Sequence, residues 1–177
     1  MSDAKPIDLR ALIRDIPDFP KPGILFRDVA PLLGNGPGFR ACIRQLCERL
    51  APLRPQVIAG IESRGFIFGA AVAAELGIGF VPIRKPGKLP WKTRKESYAL
   101  EYGTDAIEVH EDAVVPGTRV ALVDDLLATG GTAGAAIKLL QVLGADVVAA
   151  AFVIELAFLQ GRARLGSVPC QVLIAYE

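Results

Sequence analysis

Apolar residues recur along the chain with two different periods, and the change of period divides it. Leu9, Leu12, Ile13 and Ile16 stand at i, i+3, i+4 and i+7, which predicts an amphipathic helix from Asp8 to about Asp15, stopped by Pro17. Pro20 and Pro22-Gly23 then force an irregular crossing. After the Gly34-Asn35-Gly36-Pro37-Gly38 loop, Phe39, Cys42, Ile43, Leu46, Cys47 and Leu50 repeat the helical spacing. From Val57 the pattern becomes short apolar runs alternating with helical segments. Strands are expected at Val57–Ile61, Phe80–Ile83, Val120–Val123 and Val147–Ile154, helices at Phe66–Leu76 and Thr132–Leu143, and a last edge strand at Val172–Ile174. Such alternation predicts an α/β fold: a mostly parallel open sheet with helices on both faces.

Between Arg84 and Val115 the alternation lapses. Pro86-Gly87-Lys88-Leu89-Pro90 is followed by a polar stretch, by Tyr98, Leu100 and Tyr102 in alternation, by Gly103-Thr104-Asp105, and by Ile107 and Val109. This reads as a mobile loop running into a β-hairpin, and an insertion of that length suits a lid or binding loop.

Composition narrows the picture. A chain of 177 residues, 51% hydrophobic, can bury a sizeable core, and no linker or repeat divides it. A formal net charge of +1 gives no field for gripping a nucleic-acid backbone, so nucleic acid is not an expected partner. The three cysteines, Cys42, Cys47 and Cys170, have no metal-ligand spacing and read as reduced packing thiols. The N-terminal stretch carries Asp3 and Asp8 and lacks a signal-like apolar run. The longest nearly apolar stretch, Val147–Leu159, is too short for a membrane span and is interrupted by Glu155. The expectation is a cytoplasmic protein with no membrane partner.

Candidate chemistry concentrates in Val120 to Thr132, where a buried strand leads through Asp124-Asp125 into Ala128-Thr129-Gly130-Gly131-Thr132 and then a helix. Ligands of open α/β sheets collect at the carboxyl ends of strands, and a helix start offers unpaired N–H groups to a phosphate. Gly130 and Gly131 allow close backbone approach, the Thr129 and Thr132 hydroxyls can donate, and the paired carboxylates can accept from vicinal hydroxyls one sugar-length away. The string describes a socket for a ribose 5-phosphate. Two further strand ends face the same rim. Ile61 leads into Glu62-Ser63-Arg64-Gly65, and Ile83 into Arg84-Lys85 with Lys88 beyond, which together suggest a ligand with phosphates at both ends.

The string Val123 to Thr132 resembles the phosphoribosyl-diphosphate (PRPP) signature of type I phosphoribosyltransferases. Phe19-Pro20-Lys21-Pro22-Gly23-Ile24-Leu25-Phe26-Arg27-Asp28, Glu62-Ser63-Arg64-Gly65-Phe66, Ile83 to Pro90, Ser97-Tyr98-Ala99-Leu100-Glu101-Tyr102-Gly103 and Tyr176-Glu177 resemble the adenine-using branch of that family, across nearly the whole chain. The resemblance implies one domain over residues 1–177, with an N-terminal hood and helix at 1–35 and a mobile lid and hairpin at 86–110. It implies purine salvage, with adenine and PRPP giving AMP and pyrophosphate, Mg²⁺ as cofactor, and a homodimer. By the same resemblance Ala128 to Thr132 hold the 5-phosphate, Asp124 and Asp125 the ribose hydroxyls, and Glu62, Ser63 and Arg64 the pyrophosphate, with a cis peptide between Glu62 and Ser63. Arg84, Lys85 and Lys88 face the diphosphate, some of them from the neighbouring subunit. Leu25 and Arg27 meet the base through their backbones under the hood, Phe26 stacks on it and Leu156 packs opposite. Glu101 meets N7 of the purine as proton donor or hydrogen-bond partner, with Tyr102 beside it in substrate binding; Arg64 adds catalytic charge. Mg²⁺ is held chiefly by PRPP, with Asp124 and Asp125 as its candidate protein contacts.

Trp91 matches no part of the pattern, and His110, the single histidine, reads as a surface residue. Two other functions fit less well. A PRPP-sensing regulator would need a nucleic-acid-binding element, which the chain lacks. A dinucleotide-binding dehydrogenase would use the same strand, turn and helix with Glu155 at the next strand's end, but the Gly-x-Gly-x-x-Gly pattern is absent because Ala128 stands at its first position.

Overall fold

A computed structural model describes residues 7–99 and 104–177. A 3-10 turn at Arg10–Leu12 leads into β1 (Arg14–Pro17), which pairs antiparallel with β2 (Leu25–Asp28). The helix expected at Asp8 to Asp15 is thus one turn and a strand. So short a helix gains few hydrogen bonds for its nucleation cost, whereas the strand gains a ladder and two cross-strand ion pairs, Arg14 with Asp28 and Arg27 with Asp15.

Next comes α1 (Ala30–Gly34), a short helix the periodicity missed, and then α2 (Gly36–Leu50). The second helix starts inside the stretch expected as loop because Asn35 caps it: the Gly38 N–H donates to Asn35 Oδ1 at 2.8 Å, and Pro37 sits in the first turn. The remaining elements alternate as expected: β3 (Val57–Ile61), α3 (Arg64–Leu76), β4 (Gly79–Ile83), β5 (Thr93–Ala99), β6 (Thr104–His110), β7 (Arg119–Leu127), α4 (Gly131–Val142), β8 (Asp146–Leu156) and β9 (Cys170–Tyr176). Five of these strands form one parallel sheet in the order β4-β3-β7-β8-β9, with β9 at an edge.

Burial on both faces explains why β7 and β8 read as continuous apolar runs. Ala121 and Val123 of β7 and Ala149, Ala151 and Val153 of β8 pack toward α2 and α3, with Phe68, Val72, Leu46 and Leu50. Val120 and Leu122 of β7 and Ala150 and Phe152 of β8 pack the other way, toward α4, with Ile137, Leu139 and Leu140. Phe68 and Phe152 are fully buried, one in each cluster; each such side chain stabilises the fold by about 1.5–3 kcal/mol.

The β5–β6 hairpin belongs to this second layer. Ile107 and Val109 have no exposed surface. Glu108 exchanges backbone hydrogen bonds with Arg84 at 2.9 and 2.7 Å, and Lys138 of α4 reaches Glu96 of β5 at 2.5 Å. The C-terminal arm of the expected lid is therefore built into the core, because its alternating apolar side chains find α4 and β4 to cover them. Cys42 and Cys47 are buried in α2, Cys170 is half-buried, and all three are free thiols; burial pushes the Cys42 thiol up to about 12. Among the described residues no helix is long and apolar enough to cross a membrane.

Candidate active site

A cavity of about 340 Å³ opens at the carboxyl ends of β3, β4 and β7, where the chain turns from strand to helix. Its walls are Ile61 to Arg64, Lys85, Tyr98, Asp105 and the unbroken run Asp124 to Ala133. Strand β7 continues four residues beyond the expected end at Val123, because β8 pairs with it as far as Leu127 opposite Glu155. The two aspartates therefore lie within the strand, held by the ladder, and the turn to α4 follows at once.

Gly130 makes that turn with φ +77° as the residue preceding α4, and no side chain caps the helix. The first-turn N–H groups of a helix have no intrahelical acceptor, so here they are offered to the cavity together with the dipole's positive end. Thr129 is exposed at the mouth, and the Thr132 hydroxyl lies 3.1 Å from the Tyr98 hydroxyl.

Asp124 and Asp125 are held differently. The Asp125 N–H donates to Asp124 Oδ1 at 2.9 Å, while Arg64 Nε donates to Asp125 Oδ2. Burial pushes the Asp124 carboxyl well above the ordinary carboxylate range, and the Asp125 charge pushes it the same way.

Across the cavity the Glu62–Ser63 peptide bond is cis, as the family resemblance implied. Glu62 turns back to Lys88 Nζ at 2.5 Å and Arg84 Nε at 2.9 Å. Burial alone would raise its carboxyl; the hydrogen bonds from Lys88, the Lys85 backbone and Arg84 outweigh that and hold it below its usual value. Lys85 pairs with Asp105 and lies 3.4 Å from the Tyr98 hydroxyl, which donates to Asp105 Oδ2 at 3.2 Å. Burial works to lower the Lys85 ammonium, but the bonds to Asp105 and Tyr98 prevail and raise it.

Eleven of the expected side chains or backbone positions are thus gathered in one wall: Glu62, Ser63, Arg64, Lys85, Asp124, Asp125 and Ala128 to Thr132. Arg84 and Lys88 stand behind Glu62 rather than in the lining. Leu25, Phe26, Arg27 and Leu156 also lie outside it, and the Arg64 guanidinium is 5.8 Å from the Phe26 ring centroid. Phe26 meets Phe19 edge-on at 5.2 Å. Arg27 lies 3.8 Å over the Tyr176 ring, and Tyr176 is the register partner of Leu156. Glu101 and Tyr102 lie outside the described residues. Tyr98 and Asp105 stand in the sequence only as hairpin residues; the β5–β6 register makes them partners on one face, a pairing that strand alternation could have signalled. His110, expected at the surface, is half-buried with Nε2 enclosed and unpartnered, because β6 carries it inward. Trp91 is 62% exposed and is not among the residues lining the cavity.

Glu155, the acid a dinucleotide site would turn to a ribose, instead accepts a two-pronged bond from Arg162. The model of the phosphoribosyl transferase domain family matches residues 37–165. The chain is 55% identical to the adenine phosphoribosyltransferase of Rhodospirillum centenum, over 97% of this chain and 99% of that one. The crystal structure of adenine phosphoribosyltransferase from Thermoanaerobacter pseudethanolicus superposes with a TM-score of 0.93 at 49% identity, covering 95% of this chain and 98% of that chain. The Saccharomyces cerevisiae enzyme, solved with an imino-altritol bisphosphate and adenine, gives 0.88 at 42% identity, covering 93% and 96%. With a carboxylate pair, an uncapped helix start and a cationic rim assembled at the strand ends, the chain belongs to the phosphoribosyltransferase family, within its adenine phosphoribosyltransferase branch.

Proposed function

We propose that this protein transfers the phosphoribosyl group of PRPP to N9 of adenine, giving AMP and pyrophosphate in purine salvage. The observation that carries the reading is the single cavity whose wall holds Asp124 and Asp125, the Ala128–Thr132 turn and the Glu62–Arg64 loop together. That set of groups suits one pentose with a phosphate at one end and a diphosphate at the other.

In this reading the 5-phosphate takes the first-turn N–H groups of α4 and the Thr129 and Thr132 hydroxyls. Asp124 and Asp125 accept from the ribose hydroxyls, each such bond to a charged acceptor contributing about 1.5–3 kcal/mol. Breaking the C1–O bond develops positive charge on the ribose ring while the diphosphate departs, so the task is positioning and electrostatic stabilisation. Arg64 and Lys85 supply cations at the departing end, with Arg84 and Lys88 behind them. Glu101 meets N7 of the purine, Tyr102 joins it in substrate binding, and closure of the lid ahead of β6, whose own residues stay packed in the core, excludes water that would otherwise intercept C1.

Adenine stacks on Phe26 under the N-terminal hood, with Leu156 opposite and the backbones of Leu25 and Arg27 at its edge. Fixed carbonyl and N–H groups discriminate the C6 amino group from an oxo group, since the wrong base leaves a buried group unpaired at a cost of about 1–3 kcal/mol. Asp124 and Asp125 offer the hard oxygen donors that Mg²⁺ favours, and their mutual repulsion is what a cation relieves. When bound with PRPP, Mg²⁺ neutralises charge on the departing diphosphate. The family resemblance supports a homodimer, and the three free thiols support a reducing, cytoplasmic setting.

The test is a side-by-side assay of adenine, hypoxanthine and guanine with PRPP and Mg²⁺. Adenine alone should release pyrophosphate and form nucleotide at an appreciable rate. Equal turnover of hypoxanthine would remove the backbone-edge account, and no turnover of adenine would remove the whole reading.

A further inference from the structure

The turn Gly161–Leu165, beyond β8, does not line the cavity, yet the 5-phosphate turn is seated directly on it. A Cβ added to Gly130 would overlap the Gly161 carbonyl oxygen, and one added to Gly161 would overlap the Ala128 carbonyl oxygen. At Gly134, in the first turn of α4, an added Cβ would stand 2.7 Å from the Arg164 carbonyl oxygen. Backbone rests on backbone here, with no side chain between to absorb a shift.

What fixes Gly161–Leu165 is a buried carboxylate. Glu155 is 3% exposed, and both its oxygens are taken by Arg162, from Nε at 2.6 Å and from Nη2 at 2.6 Å. Leu165 is buried alongside. Glu155 is also the register partner of Leu127, the last residue of β7 before the phosphate turn. The contacts therefore close a circuit: Leu127, the turn at Ala128–Gly130, Gly161, Arg162, Glu155, and back to Leu127. A planar fork on a carboxylate fixes both distance and orientation, which a lysine ammonium does not.

We propose that Glu155 and Arg162 are positioning residues for the phosphoribosyl substrate, setting the affinity of the Ala128–Thr132 turn for a sugar 5-phosphate without touching it. The proposal rests on the reading of that turn as the 5-phosphate socket. The variants are Arg162→Lys, Glu155→Gln and the uncharged pair Glu155→Gln/Arg162→Gln, which leaves no buried charge unmatched. Each full-length protein is titrated calorimetrically with ribose 5-phosphate, assayed for its KM toward PRPP and toward adenine, and melted to verify folding. The expected result is a rise of about tenfold in both the ribose 5-phosphate Kd and the PRPP KM, with adenine KM and kcat within about twofold. A merely structural pair would lower Tm without dividing the two KM values. Unchanged ribose 5-phosphate binding in the folded variants, parallel losses for both substrates, or failure of all three variants to fold overturns the proposal. If the unaltered protein itself does not bind ribose 5-phosphate, the socket reading fails instead.

Discussion

Gly130 concentrates two demands in one residue: its φ of +77° is open to glycine at little cost, and its α-carbon faces the Gly161 carbonyl with no space for a methyl group. Gly130→Ala should therefore cost about 1–3 kcal/mol in a thermal melt and raise the PRPP KM more than the adenine KM. Equal stability and unchanged kinetics would show that the turn is not under this constraint. Glu101→Ala should lower kcat by about 10²–10⁴-fold with AMP binding little changed, the size of a typical general-acid contribution; single-turnover kinetics alongside equilibrium AMP titration separates the two effects. At this scale the sequence was most legible where chemistry demands a local string. The carboxylate pair, the Thr/Gly turn and the Glu62-Ser63-Arg64 stretch could be read as they stand. It was least legible for partners far apart in the chain. That Arg84 and Lys88 face Glu62, that Lys85 faces Asp105, and that Arg162 faces Glu155 are products of the fold.

Strands with two covered faces leave a strong trace, and β3, β4, β7 and β8 could be read from apolar runs to within a few residues. Ends were harder: β7 outruns its apolar run because pairing with β8 carries it through two acids. The N-terminal segment misled because Leu9, Leu12, Ile13 and Ile16 keep helical spacing while the ladder to β2 decides the conformation. The hairpin gave its two strands through alternation but not its attachment. Ile107→Ala should cost about 2–5 kcal/mol in urea or thermal unfolding, as a fully buried β-branched side chain is lost from the layer under α4. A surface lid with no core attachment would lose far less.

For the molecule as a whole, the hood is held to the sheet by charge and aromatic contact. Arg10 and Arg27 stand 4.5 and 3.8 Å from the Tyr176 ring centroid, and Arg14 and Asp28 join β1 to β2. The Asp28 carboxyl lies below its usual value, first through the Ala30 N–H at 2.9 Å and then through Arg14. A carboxyl lowered on folding stabilises the fold above its unfolded value, and that contribution is lost as pH falls through the lowered one. Asp28→Asn should cost about 1 kcal/mol near neutrality, and the gap in Tm between parent and variant should close below the ordinary carboxylate range. A gap constant down to strong acid would assign the effect to packing instead. The carboxylates facing Lys85, Lys88 and Arg84 carry one more consequence. On the proposed reading, a diphosphate arriving at that rim meets cations that already have internal counter-ions, so its entry would be an anion exchange in which Glu62 and Asp105 give up those contacts. Affinity is then a difference between old and new partners, and its dependence on ionic strength should be shallower than a count of three bare cations implies.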